Sequence, residues 1–267
     1  MPNYILATFD QRTPNLNLSI LTSTGGWTWT IVGKNVYGGA APNSLRDPSI
    51  MKCKGKYYVV YTDLQVGGNA FGLASSPDLL NWTRMPDVAS FSTPYNTSCT
   101  MAPEWFVDAD GSIHVLYAGQ EICTGGAYNA QIYETHPLDD TFLHWSSPVH
   151  VPVNNAPPSL IDPFVVRCGM TYYLWYKNSN NGWIEYASSH SVLGPYNVTQ
   201  GGDWMGIGYG EGACLYQVGV TTWRLLYDPM TSGLMQVESV DNWASWGPKN
   251  PITSPIPTSQ GTAIIVP

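Results

Sequence analysis

Apolar residues along this chain fall in short runs bounded by polar turns, and no stretch shows the 3.6-residue repeat of a long helix. The most regular runs are YYVVY from Tyr57, IHVLY from Ile113, YYLWY from Tyr172 and WRLLY from Trp223. In the pairs Tyr57-Tyr58 and Tyr172-Tyr173 neighbouring side chains point to opposite faces, so one member of each is expected between sheets. Only Leu79–Trp82 is expected to form a helical turn.

These runs belong to an internal repeat of about 50 residues, within the range of propeller blades. Each unit opens on an acidic or polar turn, enters an apolar strand, crosses a Gly or Asp turn and continues into an aromatic strand. The units are RDPSIMKCKGKYYVVYT from Arg46, APEWFVDADGSIHVLYA from Ala102, IDPFVVRCGMTYYLWYK from Ile161 and EGACLYQVGVTTWRLLYD from Glu211. A fifth, QGTAIIVP from Gln260, stops after one strand.

Four units continue into a further strand and a turn bearing Trp or Pro, and LNLSILTSTGGWTW from Leu16 matches that outer half without a preceding head. The orphan strand at Gly261–Pro267 can supply the inner strand missing from the N-terminal sheet, which would remove exposed sheet edges. The expected fold is therefore all-β: a five-bladed β-propeller closed by its C-terminal strand, one domain over residues 1–267.

Charged residues make up 11% of the chain and aromatic residues 13%, with 26 Gly and 21 Pro, which suits many short strands and turns. A net charge of −8 without a basic cluster argues against nucleic acid and anionic lipid as partners. No apolar run reaches the roughly 20 residues that span a bilayer. The chain begins directly in folded-looking sequence, and sequons at Asn17, Asn81, Asn96 and Asn197 lean weakly toward secretion, with any signal peptide lying outside this chain. A secreted monomer is the expectation.

The five cysteines form no CxxC pair, which removes the usual zinc and iron–sulfur spacings. Cys53 and Cys168 occupy equivalent strand positions and Cys99 and Cys123 are a candidate disulfide near loops. With Cys214 the count is odd, so one thiol stays unpaired within the chain.

The heads place Asp47, Glu104, Asp162, Glu211 and Gln260 at what read as corresponding points, and corresponding points of a propeller converge on one mouth of the central channel. Crowded carboxyls separate their pKa values, as acid/base catalysis requires. Hydrolysis of a glycoside with inversion uses that asymmetry: a base activates water, an acid protonates the leaving oxygen, and the two stand about 6.5–9.5 Å apart.

At these residues the sequence resembles glycoside hydrolase family 43 and its five-bladed clan of arabinanases, arabinofuranosidases and xylosidases. The carriers are Asp47-Pro48-Ser49, Ala74-Ser75-Ser76-Pro77-Asp78 with Asn81-Trp82, Ala102-Pro103-Glu104, Ile161-Asp162-Pro163 and Glu211-Gly212, spread over nearly the whole chain. The resemblance implies that Asp47 is the general base, Glu211 the general acid and Asp162 the group that orients the acid and raises its pKa. It gives the blade of Glu104 no catalytic acid, leaving Glu104 to a substrate contact or a structural hydrogen bond.

Trp105, Phe164, Trp183 and Trp204 are candidate sugar platforms, although packing is the commoner role for any one such ring, and Arg46 is counted with the substrate contacts. Many family members carry His before the closing Gly-Thr, where it helps hold a metal ion; here Gln260 stands there, so channel calcium would rest on a Gln oxygen and no cofactor is required.

GIGYGEG from Gly206 imitates a phosphate loop but opens no helix, and GxSxG and HExxH are absent. The expected activity is an inverting glycosidase on arabinofuranosidic or xylosidic linkages of plant-type polysaccharide or oligosaccharide, with β-xylosidase or galactanase activity as variants. The alternative is a lectin-like propeller without turnover. The heads differ from blade to blade, which suits one asymmetric site. Loops 63–70, 119–129 and 200–210 are expected to set the cleft.

Overall fold

The structure, a computed structural model, describes residues 3–12, 16–64, 68–91, 99–120 and 129–266. Five sheets stand in a ring, antiparallel except for the outermost pair of blade 4, where Val153–Asn154 runs parallel to Tyr196–Gln200, and no helix occurs among the described residues. Blade 1 runs outward from Gly261–Val266 through Asn3–Thr8 and Leu18–Ser23 to Thr30–Tyr37. Blades 2, 3, 4 and 5 have inner strands Leu45–Cys53, Cys99–Val107, Leu160–Cys168 and Glu211–Gln217. Their second strands are Lys56–Asp63, Ile113–Gln120, Thr171–Asn178 and Trp223–Asp228. Each inner strand touches the inner strands of both neighbouring blades, from blade 1 round to blade 5 and back.

The continuous apolar runs follow from this geometry, because every blade is covered on both faces. Successive residues of one strand point to opposite sides. Val59 thus packs between blades 1 and 2 while Val60 packs between blades 2 and 3, and Val115 and Leu116 divide in the same way between the layers flanking blade 3. Both members of each Tyr pair are used. Tyr57 and Tyr58 face blades 1 and 3, and Tyr172 and Tyr173 face blades 3 and 5, where the sequence suggested one interblade ring per pair.

The outer turns share a device. A residue with positive φ precedes a Trp by three positions at Gly26/Trp29, Leu79/Trp82, Phe142/Trp145 and Trp243/Trp246. Leu79–Trp82 is consequently a bend and not a helical turn. The Asp78 carboxylate accepts the Leu80 and Asn81 backbone N–H groups, and the Trp82 indole donates to the Leu79 carbonyl at 2.9 Å. This local capping competes with helical hydrogen bonding.

The ends of the chain close the ring as expected. Gly261–Val266 pairs antiparallel with Asn3–Thr8, in the register Leu6↔Ala263 and Thr8↔Gly261. The joint is close: a Cβ added at Gly261 would lie 2.0 Å from the Ala7 carbonyl oxygen, a backbone atom that cannot turn aside. Cys99 is disulfide-bonded, while its expected partner Cys123 lies outside the described residues. Cys53 and Cys168 are free and half-buried at matching hairpin positions, and Cys214 is free and buried.

Gly261→Ala is expected to destabilise the protein by about 2–4 kcal/mol, since overpacking against fixed backbone has no relaxed alternative. Thermal melting should show a drop of roughly 5–10 °C, whereas Gly25→Ala, with open space around its Cβ, should melt like the wild type.

Candidate active site

The strand registers define which residues of the blades correspond. The inner strands of blades 2 to 5 each carry a bulge near their start, between the pairs Arg46↔Thr62 and Ser49↔Val60 in blade 2 and between Ile161↔Lys177 and Phe164↔Trp175 in blade 4. Blades 3 and 5 repeat it between Met101↔Ala118 and Glu104↔Leu116, and between Glu211↔Asp228 and Cys214↔Leu226. The residue with positive φ in each bulge is Asp47 (49°), Ala102 (46°), Asp162 (54°) and Gly212 (61°). Asp and Gly tolerate this region best, and a bulge re-aims side chains beside it.

This corrects the alignment read from the sequence. Asp47 and Asp162 are equivalent, but Glu211 stands one position before the bulge residue and Glu104 two positions after it. Glu104 therefore belongs with Ser49, Phe164 and Cys214, one layer further along the inner strands.

Asp47, Asp162, Gly212 and Gln260 line one depression at the ring centre, with Glu104 and Thr262. Thr62 donates to Asp47 Oδ2 at 2.9 Å and accepts the Ala102 backbone N–H at 2.7 Å, which fixes Asp47 against blade 3. Asp162 Oδ2 accepts the Gly212 backbone N–H at 3.1 Å and so ties blade 4 to the residue after Glu211. Lys177 Nζ reaches Glu211 Oε2 at 2.6 Å and donates to Tyr209 Oη at 2.8 Å, with the ammonium 4.7 Å from the Tyr209 ring centre.

The electrostatics reflect this crowding. Burial pushes Asp162 up to about 7, with the Glu211 and Asp47 charges adding and Lys177 and the Gly212 N–H opposing. Asp47 is raised by burial; Arg46 offsets part of this, and the Glu211 charge adds to it. Burial disfavours the Lys177 charge, but Glu211, Tyr209 and Asp162 outweigh it and hold the ammonium protonated. Asp228, opposite Glu211 and accepting the Gln260 and Met230 backbone N–H groups, is also raised by burial.

Glu104 sits among hydroxyls. Ser49 Oγ and Thr262 Oγ1 each donate to one of its oxygens at 2.8 Å, bridging blades 2, 3 and 1, and burial pushes its carboxyl up to about 8. A calcium ion needs six to eight oxygens. The lining offers the carboxylates of Asp47, Glu104 and Asp162; both Glu104 oxygens are engaged by hydroxyls, Asp47 Oδ2 by Thr62 and Asp162 Oδ2 by the Gly212 N–H, and the Gln260 stem fills the place a Gly212 side chain would take. Four of these six carboxylate oxygens already accept hydrogen bonds.

Other expected residues lie elsewhere. Trp105 is buried between blades 2 and 3, within 6.0 Å of the Phe142 and Trp145 rings, so it packs and does not face the cleft. Phe164 is buried in the layer shared by blades 4, 5 and 1, and Trp204 packs on Trp175 and Tyr186 with its indole donating to the Ile184 carbonyl. The Arg46 guanidinium meets the Gln11 side chain at 3.3 Å and lies over the Phe9 ring, acting on Asp47 only through its charge. Trp183 is half-buried above Gly202, on the hairpin that also contacts Tyr209.

Four site residues were not picked out from the sequence: Thr62, Lys177, Asp228 and Tyr209. The first three are the residues facing Arg46, Ile161 and Glu211 across the hairpins, and each directly follows the last aromatic residue of its strand. A charged or polar end to an otherwise apolar run, differing from blade to blade, was the available signal. Tyr209, 48% exposed in loop 200–210, is the aromatic face beside Glu211. Within loops 63–70 and 119–129, positions 65–67 and 121–128 lie outside the described residues.

A family model described as "Probable glycosyl hydrolase domain", of a group related to glycoside hydrolase family 43, matches residues 4–266. No curated protein sequence matches significantly. Among solved structures, the chain is similar to a thermostable family-43 glycoside hydrolase, with 19% identity and a TM-score of 0.67 over 97% of this chain and 92% of that one. It is also similar to an endo-1,4-beta-xylanase from Bacteroides thetaiotaomicron (14%, TM-score 0.62, 97% and 93% covered) and to Bacillus subtilis arabinanase (19%, 0.58, 84% and 84%).

The raised carboxyls make a stability statement. Glu104 and Asp162 bind protons more tightly in the folded chain than in the unfolded one, so their contribution is complete below about pH 4 and is lost as pH rises through about 7 to 8. The melting temperature should fall from about pH 5 to pH 8.5. Glu104→Gln, neutral throughout, should fall less and exceed the wild type by about 2 kcal/mol at the alkaline end. Parallel curves in a pH series of thermal melts would contradict this.

Proposed function

The chain belongs to the family of probable glycosyl hydrolase domains related to glycoside hydrolase family 43, and from that membership we propose that it hydrolyses arabinofuranosidic linkages of plant-type polysaccharide or oligosaccharide with inversion. The observation that carries the proposal is that Asp47, Asp162 and Glu211, from three different blades, lie close enough to act on one another's charge, with Asp47 and Asp162 lining the depression at the ring centre and Glu211 next to its Gly212. The family-43 arabinanase neighbour favours arabinofuranosides, while the xylanase neighbour keeps xylosides as the second substrate class to assay.

In this reading Asp47 removes a proton from a water as its oxygen bonds to the anomeric carbon. Glu211 delivers a proton to the glycosidic oxygen as the old bond breaks. Proton exchange with solvent then resets both. Lys177, which also donates to Tyr209, holds Glu211 through Oε2, leaving Oε1 for the leaving oxygen, and the ammonium stabilises the carboxylate formed by proton transfer. Asp162 is a positioning residue, fixing the Glu211-Gly212 backbone through the Gly212 N–H. The exposed Tyr209 ring supplies a sugar-stacking face beside the acid. The disulfide at Cys99 supports a secreted location, since such bonds persist in oxidising compartments.

Asp47→Asn and Glu211→Gln should each lower kcat on arabinan or arabino-oligosaccharide by about 10²–10⁴-fold. Glu211→Gln should lose far less on an aryl arabinofuranoside whose leaving group needs no protonation, whereas Asp47→Asn should lose activity on both. Reducing-sugar and chromophore release measure the two cases. Wild-type binding without turnover on arabinan, arabinoxylan and aryl glycosides, or equal rates in wild type and variants, would overturn the assignment.

A further inference from the structure

A second cluster of ionisable groups lies in blade 3, away from the channel carboxyls. The register Val115↔Thr135 and Leu116↔Glu134 places His114 opposite His136, with Glu134 diagonal to His114, so the three side chains share one face of the sheet. His114 Nδ1 is 2.6 Å and His136 Nδ1 3.1 Å from the same Glu134 oxygen, Oε1. Glu134 is fully buried, and its other oxygen, Oε2, has no hydrogen-bond partner.

A buried carboxylate with one oxygen doubly engaged and the other bare is a costly arrangement, because the desolvation of Oε2 is uncompensated. A divalent cation would supply the missing partner. One ligand atom from each of the three residues can be chosen so that all lie within 4.8 Å of one another. Bonds of about 2.0–2.2 Å at tetrahedral angles put ligand atoms about 3.3 Å apart, so small side-chain adjustments close the site.

Two imidazoles and a carboxylate suit zinc and its transition-metal neighbours and not calcium, which prefers oxygen alone. The His114 ring is oriented from behind by Ser112 Oγ, 3.2 Å from Nε2, the support expected of a metal-bound imidazole. His136 is 41% exposed, which gives an entry path and leaves a coordination position open to water.

We propose that His114, Glu134 and His136 bind a divalent transition-metal ion, with zinc best matched to the donor set. The ion clasps the Ile113–Gln120 strand to the end of Gln131–Thr135 and to the turn that follows. It is structural: it steadies the outer half of blade 3 and takes no part in the chemistry at Asp47 and Glu211.

The test is calorimetric titration of the whole, chelator-treated protein with zinc chloride, paired with thermal melts. One equivalent per chain, bound at micromolar concentration or tighter, and a raised melting temperature are expected. His136→Gln removes a half-exposed ligand without opening the core and should weaken binding on the order of 100-fold. His144→Gln, at an exposed histidine outside the cluster, should bind like the wild type. Absence of binding up to about 1 mM zinc, or equal affinity in wild type and His136→Gln, would overturn the proposal.

Discussion

The pairing of Gly261–Val266 with Asn3–Thr8 is the interaction on which the remainder depends. Five twisted sheets packed face to face form an arc with two unpaired flanks until one strand joins the first blade to the last. Here that strand is the inner strand of blade 1, so the first and last strands of the chain pair beside the channel and not at the rim. Closure fixes the spacing of every inner strand. Asp47, Asp162 and Glu211 become neighbours only because blades 2, 4 and 5 are held in one ring.

Bringing those carboxyls together opposes folding. Desolvation and mutual repulsion raise Asp47 and Asp162, and four inner strands adopt a positive φ where they reach the depression, three of them at residues other than glycine. The molecule offsets this with specific contacts between blades: Thr62 to Asp47 and Ala102, the Gly212 N–H to Asp162, Lys177 to Glu211, and Ser49 and Thr262 to Glu104. Raised carboxyl pKa values gather around this depression, at Asp47, Glu104, Asp162 and Asp228, the pattern expected of a functional site.

The sequence disclosed the ring because the repeat, the headless first unit and the orphan last strand are all visible as patterns. Asp47 and Asp162 were legible through their shared Asp-Pro context. What escaped was the register: a bulge inserts residues without changing the local hydrophobic pattern, so the offsets of Glu211 and Glu104 became apparent only from the pairs Glu211↔Asp228 and Glu104↔Leu116. Lys177 and Asp228 were hidden for the same reason, since they face the heads across a hairpin. Trp105 looked like a platform because composition does not reveal which face of a strand a ring occupies, and its neighbours Phe142 and Trp145 lie far along the chain.

In the proposed mechanism Asp47 and Glu211 act from opposite sides of one glycosidic bond, with a water between base and sugar. Proton NMR during early hydrolysis of an α-arabinofuranoside follows the anomer released before mutarotation mixes the two. Inversion yields the β-anomer first, and that is the expected result. An α-anomer appearing first would contradict the account, because retention requires a carboxylate bonded to the sugar, about 5–5.5 Å from its partner, with no water in that space.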